Sequence, residues 1–395
     1  MNRISNTKRN TVVDAIMLLL LYVAAAMSMY EDYLPIILYG IIPFVFALSI
    51  ISYGNPFVGN RYMRSLIIMY AWIGLTYFGA IYSEEALVQM KQILGVVLMC
   101  SICANLAKNE RNIHWLYGLY IVYYVAILRF AQQNVLDNIV MYEERLDDEK
   151  MNANMLAYFT FYITIAIYML GEFVKSQFVK KTFRIFFLTT IALSFFIAML
   201  TASRQVLIIQ APLYLILMFI RYAKSYKGVL LISALLLGIG LLFSDSIKDV
   251  YEGSVLQERN EMEVEDDERV LVMREAVQYG LQHPIFGLGP GNFVKYSMHK
   301  VFSHCTYTEL WANSGILALF IYVIMLLKFI ILQWQRYRQY RQIPYLLFCI
   351  FGVFFALDNF FYVFYSGLWL MGFFILVATH SEVYYNNNRN QIRIS

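Results

Sequence analysis

The sequence predicts an all-α polytopic membrane protein with about twelve transmembrane helices and one large extracytoplasmic loop containing short helices. Three observations predict this fold class. Hydrophobic residues make up 60% of the 395 positions and charged residues only 15%, whereas soluble domains run at roughly 45–50% and about 25%. That excess exceeds what a soluble core can hold and fits a lipid-facing surface. Apolar runs long enough to cross a bilayer recur along the chain. The charges between the runs alternate in sign from one loop to the next.

The runs fall at 12–29, 34–52, 64–82, 87–107, 113–130, 152–172, 183–202, 205–221, 228–244, 308–330, 343–359 and 361–379. The first follows Arg3, Lys8 and Arg9 and so has the order of a secretory signal peptide. Its length of about 19 residues nevertheless suffices to cross a hydrocarbon core of ~30 Å, and it reads as a retained first helix. Cys100, Cys103 and Cys349 lie within apolar runs and read as small hydrophobes, and Cys305 alone is expected to reach an aqueous face. The last two runs meet in a hairpin near Asp358 and Asn359.

Orientation follows from the positive-inside rule. With the N-terminus in the cytoplasm, the inside segments carry 20 of the 31 basic residues, among them Arg61, Lys108, Lys180, Lys181, Lys224, Arg336, Arg338 and Arg341. Of the 27 acidic residues, all but Asp14, Glu110, Glu172 and Glu382 fall outside. The expected organisation is membrane helices over 1–244, an extracytoplasmic loop over 245–307, further membrane helices over 308–379, and a cytoplasmic tail over 380–395. Asparagines at 386–388 and 390 make that tail read as disordered. No internal repeat is evident, which weighs against an inverted-repeat transporter.

Residues suited to chemistry gather on the outer side. Arg145 lies in an acidic segment followed by Asn152 and Asn154 at the head of a helix. Arg204 sits at the start of a membrane helix with almost no loop around it, a costly place for a charge without a partner. In the large loop, helical spacing over 269–279 predicts a short amphipathic helix, with Arg269 at its start and Arg274 within it. Pro284, Gly287, Gly289 and Gly291 then force tight turns and close backbone approach. Read as a nucleotide-binding GxGxxG this stretch fails, because no strand precedes it and the third glycine is misplaced. His299 and His304 lack zinc-site spacing. His304 suits proton transfer or hydrogen bonding, and Glu309, one turn on, suits orienting the histidine or binding sugar.

Arg269, the Pro284-Ile-Phe-Gly287-Leu-Gly289-Pro-Gly291-Asn-Phe293 stretch, His304-x-x-Tyr307-x-Glu309-Leu310 and Gly315 together resemble the signature of the O-antigen ligase and polysaccharide polymerase superfamily (Wzy/WaaL-type membrane glycosyltransferases). The Ser203-Arg204 junction and Arg145 with Asn152-x-Asn154 resemble two further segments of that family. Departures are Cys305 where Asn is usual, Met273 where Trp is usual, and Ala153 where Pro is common.

The resemblance implies a metal-independent glycosyltransferase without a cofactor. It would use a polyprenyl-pyrophosphate-linked oligosaccharide as donor in a bacterial cytoplasmic (inner) membrane, with both termini cytoplasmic and the active site extracytoplasmic. It implies catalytic roles for His304, Arg269 and Arg204 and substrate-binding roles for Arg145, Arg274, Glu309 and Asn154. The expected activity is polymerisation of polysaccharide repeat units, with ligation of a finished glycan or flipping of the lipid-linked glycan as alternatives. The bilayer is a partner, a chain-length regulator protein is a candidate partner, and nucleic acid is not.

Overall fold

The computed structural model describes residues 11–28, 31–137, 153–174, 176–201, 203, 205–222, 268–365 and 368–394. Its regular elements are all helical among the described residues. In chain order they are α1 (Thr11–Met27), α2 (Leu34–Tyr53), α3 (Arg61–Thr76), α4 (Ser83–Leu106), α5 (Glu110–Asp137), α6 (Ala153–Phe173), α7 (Gln177–Thr201), α8 (Ala211–Tyr222), α9 (Glu268–Gln282), α10 (Phe293–Tyr296), α11 (Thr306–Tyr340), α12 (Ile343–Asp358) and α13 (Leu368–Ile394). Eleven of the expected apolar runs coincide with helices, and the run at 228–244 lies outside the described residues. By length and composition α2, α4 and α11 can each cross a membrane, and shorter apolar helices accompany them.

The helices carry the lipid signature on their outer faces. On α11, Leu317, Phe320, Ile324, Leu327, Ile331 and Trp334 form an exposed stripe at three- and four-residue spacing. Tyr322, Met325, Leu326 and Phe329 on the opposite side are buried. A helix that is apolar all round needs an apolar surround, and an exposed stripe of this length would be a liability in water. Between such helices the hydrophobic effect gives no net pull, so close packing and polar links hold them together.

The structure forms two compact units. In the unit made of residues 1–119 and 268–395, α4 packs on α2 and α13, and α11 packs on α3, α9 and α12. Asn60 caps α3 by accepting from the Tyr62 and Met63 N–H groups, both at 3.1 Å. Asp14, the one acid in the first apolar run, is buried. It accepts from Tyr53 Oη at 2.6 Å, Asn112 Nδ2 at 2.9 Å and Asn109 Nδ2 at 3.1 Å. Those donors replace the water that a buried carboxylate would otherwise need.

The expectation of a disordered tail is corrected: α13 continues to Ile394. Beyond the apolar stretch, Glu382 pairs with Arg336 at 2.9 Å, Asn388 donates to Gln342 at 3.1 Å and Asn387 donates to Glu110 at 3.1 Å. Asparagine has weak helix propensity, and these contacts override it.

The second unit, residues 120–267, packs α6 against α7. A polar ladder crosses its interior. Thr160 donates to Gln210, the Tyr214 hydroxyl lies within hydrogen-bond reach of Gln210 and Ser194, and Arg221 is clamped by Glu172 at 3.0 Å with its guanidinium 3.8 Å from the Tyr168 ring centroid. Such links in membrane bundles are each worth about 0.6 kcal/mol on average.

Candidate active site

The site is built around a break in α11. A first segment from Thr306 ends at Gly315, whose φ of 76° and ψ of 177° interrupt the helical path. A break strands backbone groups that need other partners. The loop after α9 supplies them: Ile316 N–H donates to the Pro284 carbonyl at 2.8 Å, and Leu288 N–H donates to the Ala312 carbonyl at 2.8 Å. Trp72 of α3 takes a third group, donating from Nε1 to the Ser314 carbonyl at 2.9 Å while its ring stacks on Phe286.

Two glycines make this approach possible. A Cβ on Gly315 would overlap the Ile285 carbonyl. A Cβ on Gly287, which has φ of 68°, would lie 2.5 Å from the Asn313–Ser314 peptide. Both positions need the left-handed backbone and the missing side chain. Gly289 and Gly291 continue the loop along Ala80 and Glu85. Asn292 fastens it there by accepting from Tyr82 N–H at 2.8 Å and donating to the Tyr82 carbonyl at 3.1 Å.

The expected amphipathic helix is present as α9 and is longer than 269–279. Its buried stripe is Val272, Ala276 and Gly280, at four-residue steps, and it packs on α11. Trp311 lies over Gly280, where a Cβ would meet the indole at 2.8 Å. Val272, Ala276, Leu288, Phe293 and Ala312 form one small core beneath the loop. Arg269 precedes Val272 by three and Ala276 by seven, so it shares the packed face, and it is half-buried. Arg274 falls off that stripe and is exposed.

His304 is not on the helix face with Glu309, as its spacing had suggested. The helix begins at Thr306 with Cys305 as its N-cap, and His304 lies before it with φ of 56°. A non-glycine residue in this region stores roughly 1–3 kcal/mol and persists only when its neighbours over-determine it. They do so here. Ser303 and Cys305, on either side, are both buried. Ser303 N–H donates to Glu309 Oε2 at 2.7 Å, Ser303 Oγ donates to the Cys305 carbonyl at 3.0 Å, and Thr308 Oγ1 donates to Ser303 Oγ at 3.0 Å. The His304 ring, half-buried, rests 4.3 Å from the Phe302 ring.

Glu309 itself is 1% exposed. Its other oxygen accepts from Asn313 Nδ2 and from Tyr365 Oη, each at 2.7 Å. Asn313 in turn accepts from Phe293 N–H at 2.8 Å. One chain of bonds therefore joins the glycine loop, α11, the 359–365 turn and the His304 turn. Of the two roles expected for Glu309, orienting the histidine or binding sugar, this geometry, with both oxygens engaged by protein, supports the first. The expectation that Cys305 reaches an aqueous face is corrected: it is 1% exposed, and burial raises its thiol above the ordinary range. The N-cap position at a packed junction encloses it.

Asn313, Asn292, Trp72, Tyr82 and Tyr365 were missed in the sequence. Of these only Asn313 left a signal, at four residues from Glu309 on one helix. Arg145 and Arg204 lie outside the described residues, as does the Asn154 side chain. Ser203, next to Arg204, is buried, and its N–H donates to the Ala198 carbonyl at 3.1 Å. An apolar groove of about 460 Å³ runs between α11 and α12, beginning at Tyr307 and Phe360 and continuing past Val323 to Ile330.

No curated protein matches the chain. A family match does: it spans Arg204, Arg269, the glycine loop, His304, Glu309 and the α11 break, and across residues 189–323 the chain matches the Wzy_C family, O-antigen ligase.

Proposed function

We propose that the chain is a metal-independent membrane glycosyltransferase that polymerises polysaccharide repeat units. The donor is a glycan on a polyprenyl-pyrophosphate carrier, and the acceptor is a sugar hydroxyl of another lipid-linked unit. The observation that carries the reading is His304, held in a left-handed turn at the head of the broken α11 within the family match.

In the proposed reaction the acceptor hydroxyl attacks the anomeric carbon of the donor glycan. The bond from that carbon to the pyrophosphate oxygen breaks, and the carrier pyrophosphate leaves with the electron pair. His304 takes the hydroxyl proton, a contribution of about 10²–10⁴ in rate. Arg269 and Arg204 grip the leaving pyrophosphate bidentately, each charge-assisted bond being worth roughly 1.5–3 kcal/mol. Arg145, Arg274 and Asn154 contact the donor further out. Glu309 positions the His304 turn through Ser303. The groove that starts at Tyr307 takes the isoprenoid tail, since its lining is apolar and it begins three residues from His304.

Charge partition supports a site on the extracytoplasmic side of a bacterial cytoplasmic membrane, with both termini inside. The head of α11 lies at the other end of the helix from Arg336 and Arg338, which the same rule puts in the cytoplasm.

Exchange of Arg204 or Arg269 for Lys in the native host tests the clamp. Both variants should lose most surface glycan, because an ammonium cannot replace the guanidinium fork. Near-normal glycan from both would refute the clamp. The description of the matched family as O-antigen ligase favours a second reading, transfer of a finished glycan to a surface acceptor. His304→Ala separates the two. Loss of every chain beyond one unit supports polymerisation, and long chains retained on the lipid carrier support ligation. Repeat units trapped facing inward in a deletion strain would instead favour a flippase.

A further inference from the structure

A second pocket lies far from His304. It has a volume of about 570 Å³ and sits between α3 and α11, with Arg61, Arg64 and Lys328 among its lining side chains. Met325 and Ile331 contribute to its apolar wall, and Tyr62 forms part of the base. Along α11, Lys328 is some twenty residues past the helix head, or about 30 Å at 1.5 Å per residue. That is roughly a hydrocarbon thickness, so the pocket and the His304 turn mark opposite membrane faces.

The charges there are unbalanced. Arg61 approaches Glu382 Oε1 at 3.6 Å while Arg336 holds Oε2 at 2.9 Å, so one carboxylate faces two arginines. Arg64 and Lys328 are both exposed at the rim. A second, independent feature is Tyr62. It is 2% exposed, its ring packs against Phe329 and Phe374, and its hydroxyl is buried without a hydrogen-bond partner. A buried hydroxyl left unpaired is costly. Three cations beside an apolar wall at the end of a membrane helix match one chemistry: a phosphodiester headgroup with its acyl chains running along the helix.

We propose that this pocket binds an anionic glycerophospholipid of the leaflet facing the basic loops. Arg61, Arg64 and Lys328 hold the phosphate, and an acyl chain lies along Met325 and Ile331. The site is separate from the glycan-transfer reading and stands whether or not that reading holds.

Native mass spectrometry of the purified full chain in detergent provides the test. The probes are phosphatidylglycerol, phosphatidylcholine with the same acyl chains, and inorganic phosphate. The expected result is one retained phosphatidylglycerol, favoured over phosphatidylcholine and weakened by added salt. Arg64→Gln with Lys328→Gln should weaken that binding about thirtyfold, taking roughly 1 kcal/mol for each cation. The charge-keeping pair Arg64→Lys with Lys328→Arg should bind within a few-fold of the native chain. Both positions are exposed, so the substitutions leave the core intact. Equal retention of the two lipids, retention indifferent to salt, or an unchanged affinity in the double Gln variant would overturn the proposal. Inorganic phosphate bound as tightly as the lipid would assign the pocket to a soluble anion instead.

Discussion

Glu309→Gln tests whether the buried carboxylate sets the His304 turn. The three groups that face it are all donors: Ser303 N–H on one oxygen, Asn313 Nδ2 and Tyr365 Oη on the other, each at 2.7 Å. A carboxylate accepts on both sides, whereas an amide accepts on one and donates on the other. If the new NH₂ faces Ser303, two donors oppose each other across the very peptide that leads to His304. If it faces the other way it opposes Asn313, which cannot flip without turning its own NH₂ toward Phe293 N–H. At least one charge-assisted bond is lost in either case, at about 1.5–3 kcal/mol. That is roughly a tenfold to 150-fold rise in the population of a released turn. Hydrogen exchange over residues 302–306 of the purified protein reads that population directly. Turnover should fall with it, while donor affinity, which the proposed clamp assigns to Arg204 and Arg269, should change little. Exchange at wild-type rate across this segment, or loss of donor affinity with turnover unaffected, would refute the positioning role.

Two further predictions address the loop and its junction. Gly315→Ala places a Cβ on the Ile285 carbonyl at a positive φ. It should cost several kcal/mol, of the size of other strained or overpacked sites, at roughly 1–3 kcal/mol for each of the two effects. Thermal melting of the purified variant checks this, and a native-like melting temperature would contradict the plugged-helix geometry. Cys305 should resist a maleimide reagent in the folded protein and react on denaturation, because its thiol is enclosed and its ionisation is suppressed by burial. Rapid labelling of the native chain at Cys305 would show that the junction opens.

Much of the fold was legible because lipid imposes a simple rule on sequence. A spanning helix must satisfy its own backbone and show apolar side chains outward. Runs such as 308–330 and the charge change at their ends follow from that rule alone. The glycine spacing of 287, 289 and 291 likewise announced close backbone approach before its partner was known. Three things escaped the pattern. The tail at 380–394 reads as polar and asparagine-rich, yet contacts to Gln342 and Glu110 keep it helical. Cys305 reads as water-facing because it borders a loop, yet it is enclosed, and His304 reads as one helical turn before Glu309, yet it precedes the helix in a left-handed turn.

The sequence by itself determined the helical class and the direction of the charge asymmetry. These depend on local composition and on spacing along one helix. Only the tertiary structure decided that Pro284–Leu288 fills the break at Gly315, that Asn313 ties Phe293 to Glu309, and that His304 stands in a strained turn between two buried neighbours. Each of these joins segments distant in the chain or fixes a backbone angle. Propensity and periodicity carry no information about a hydrogen-bond partner that only packing brings within reach.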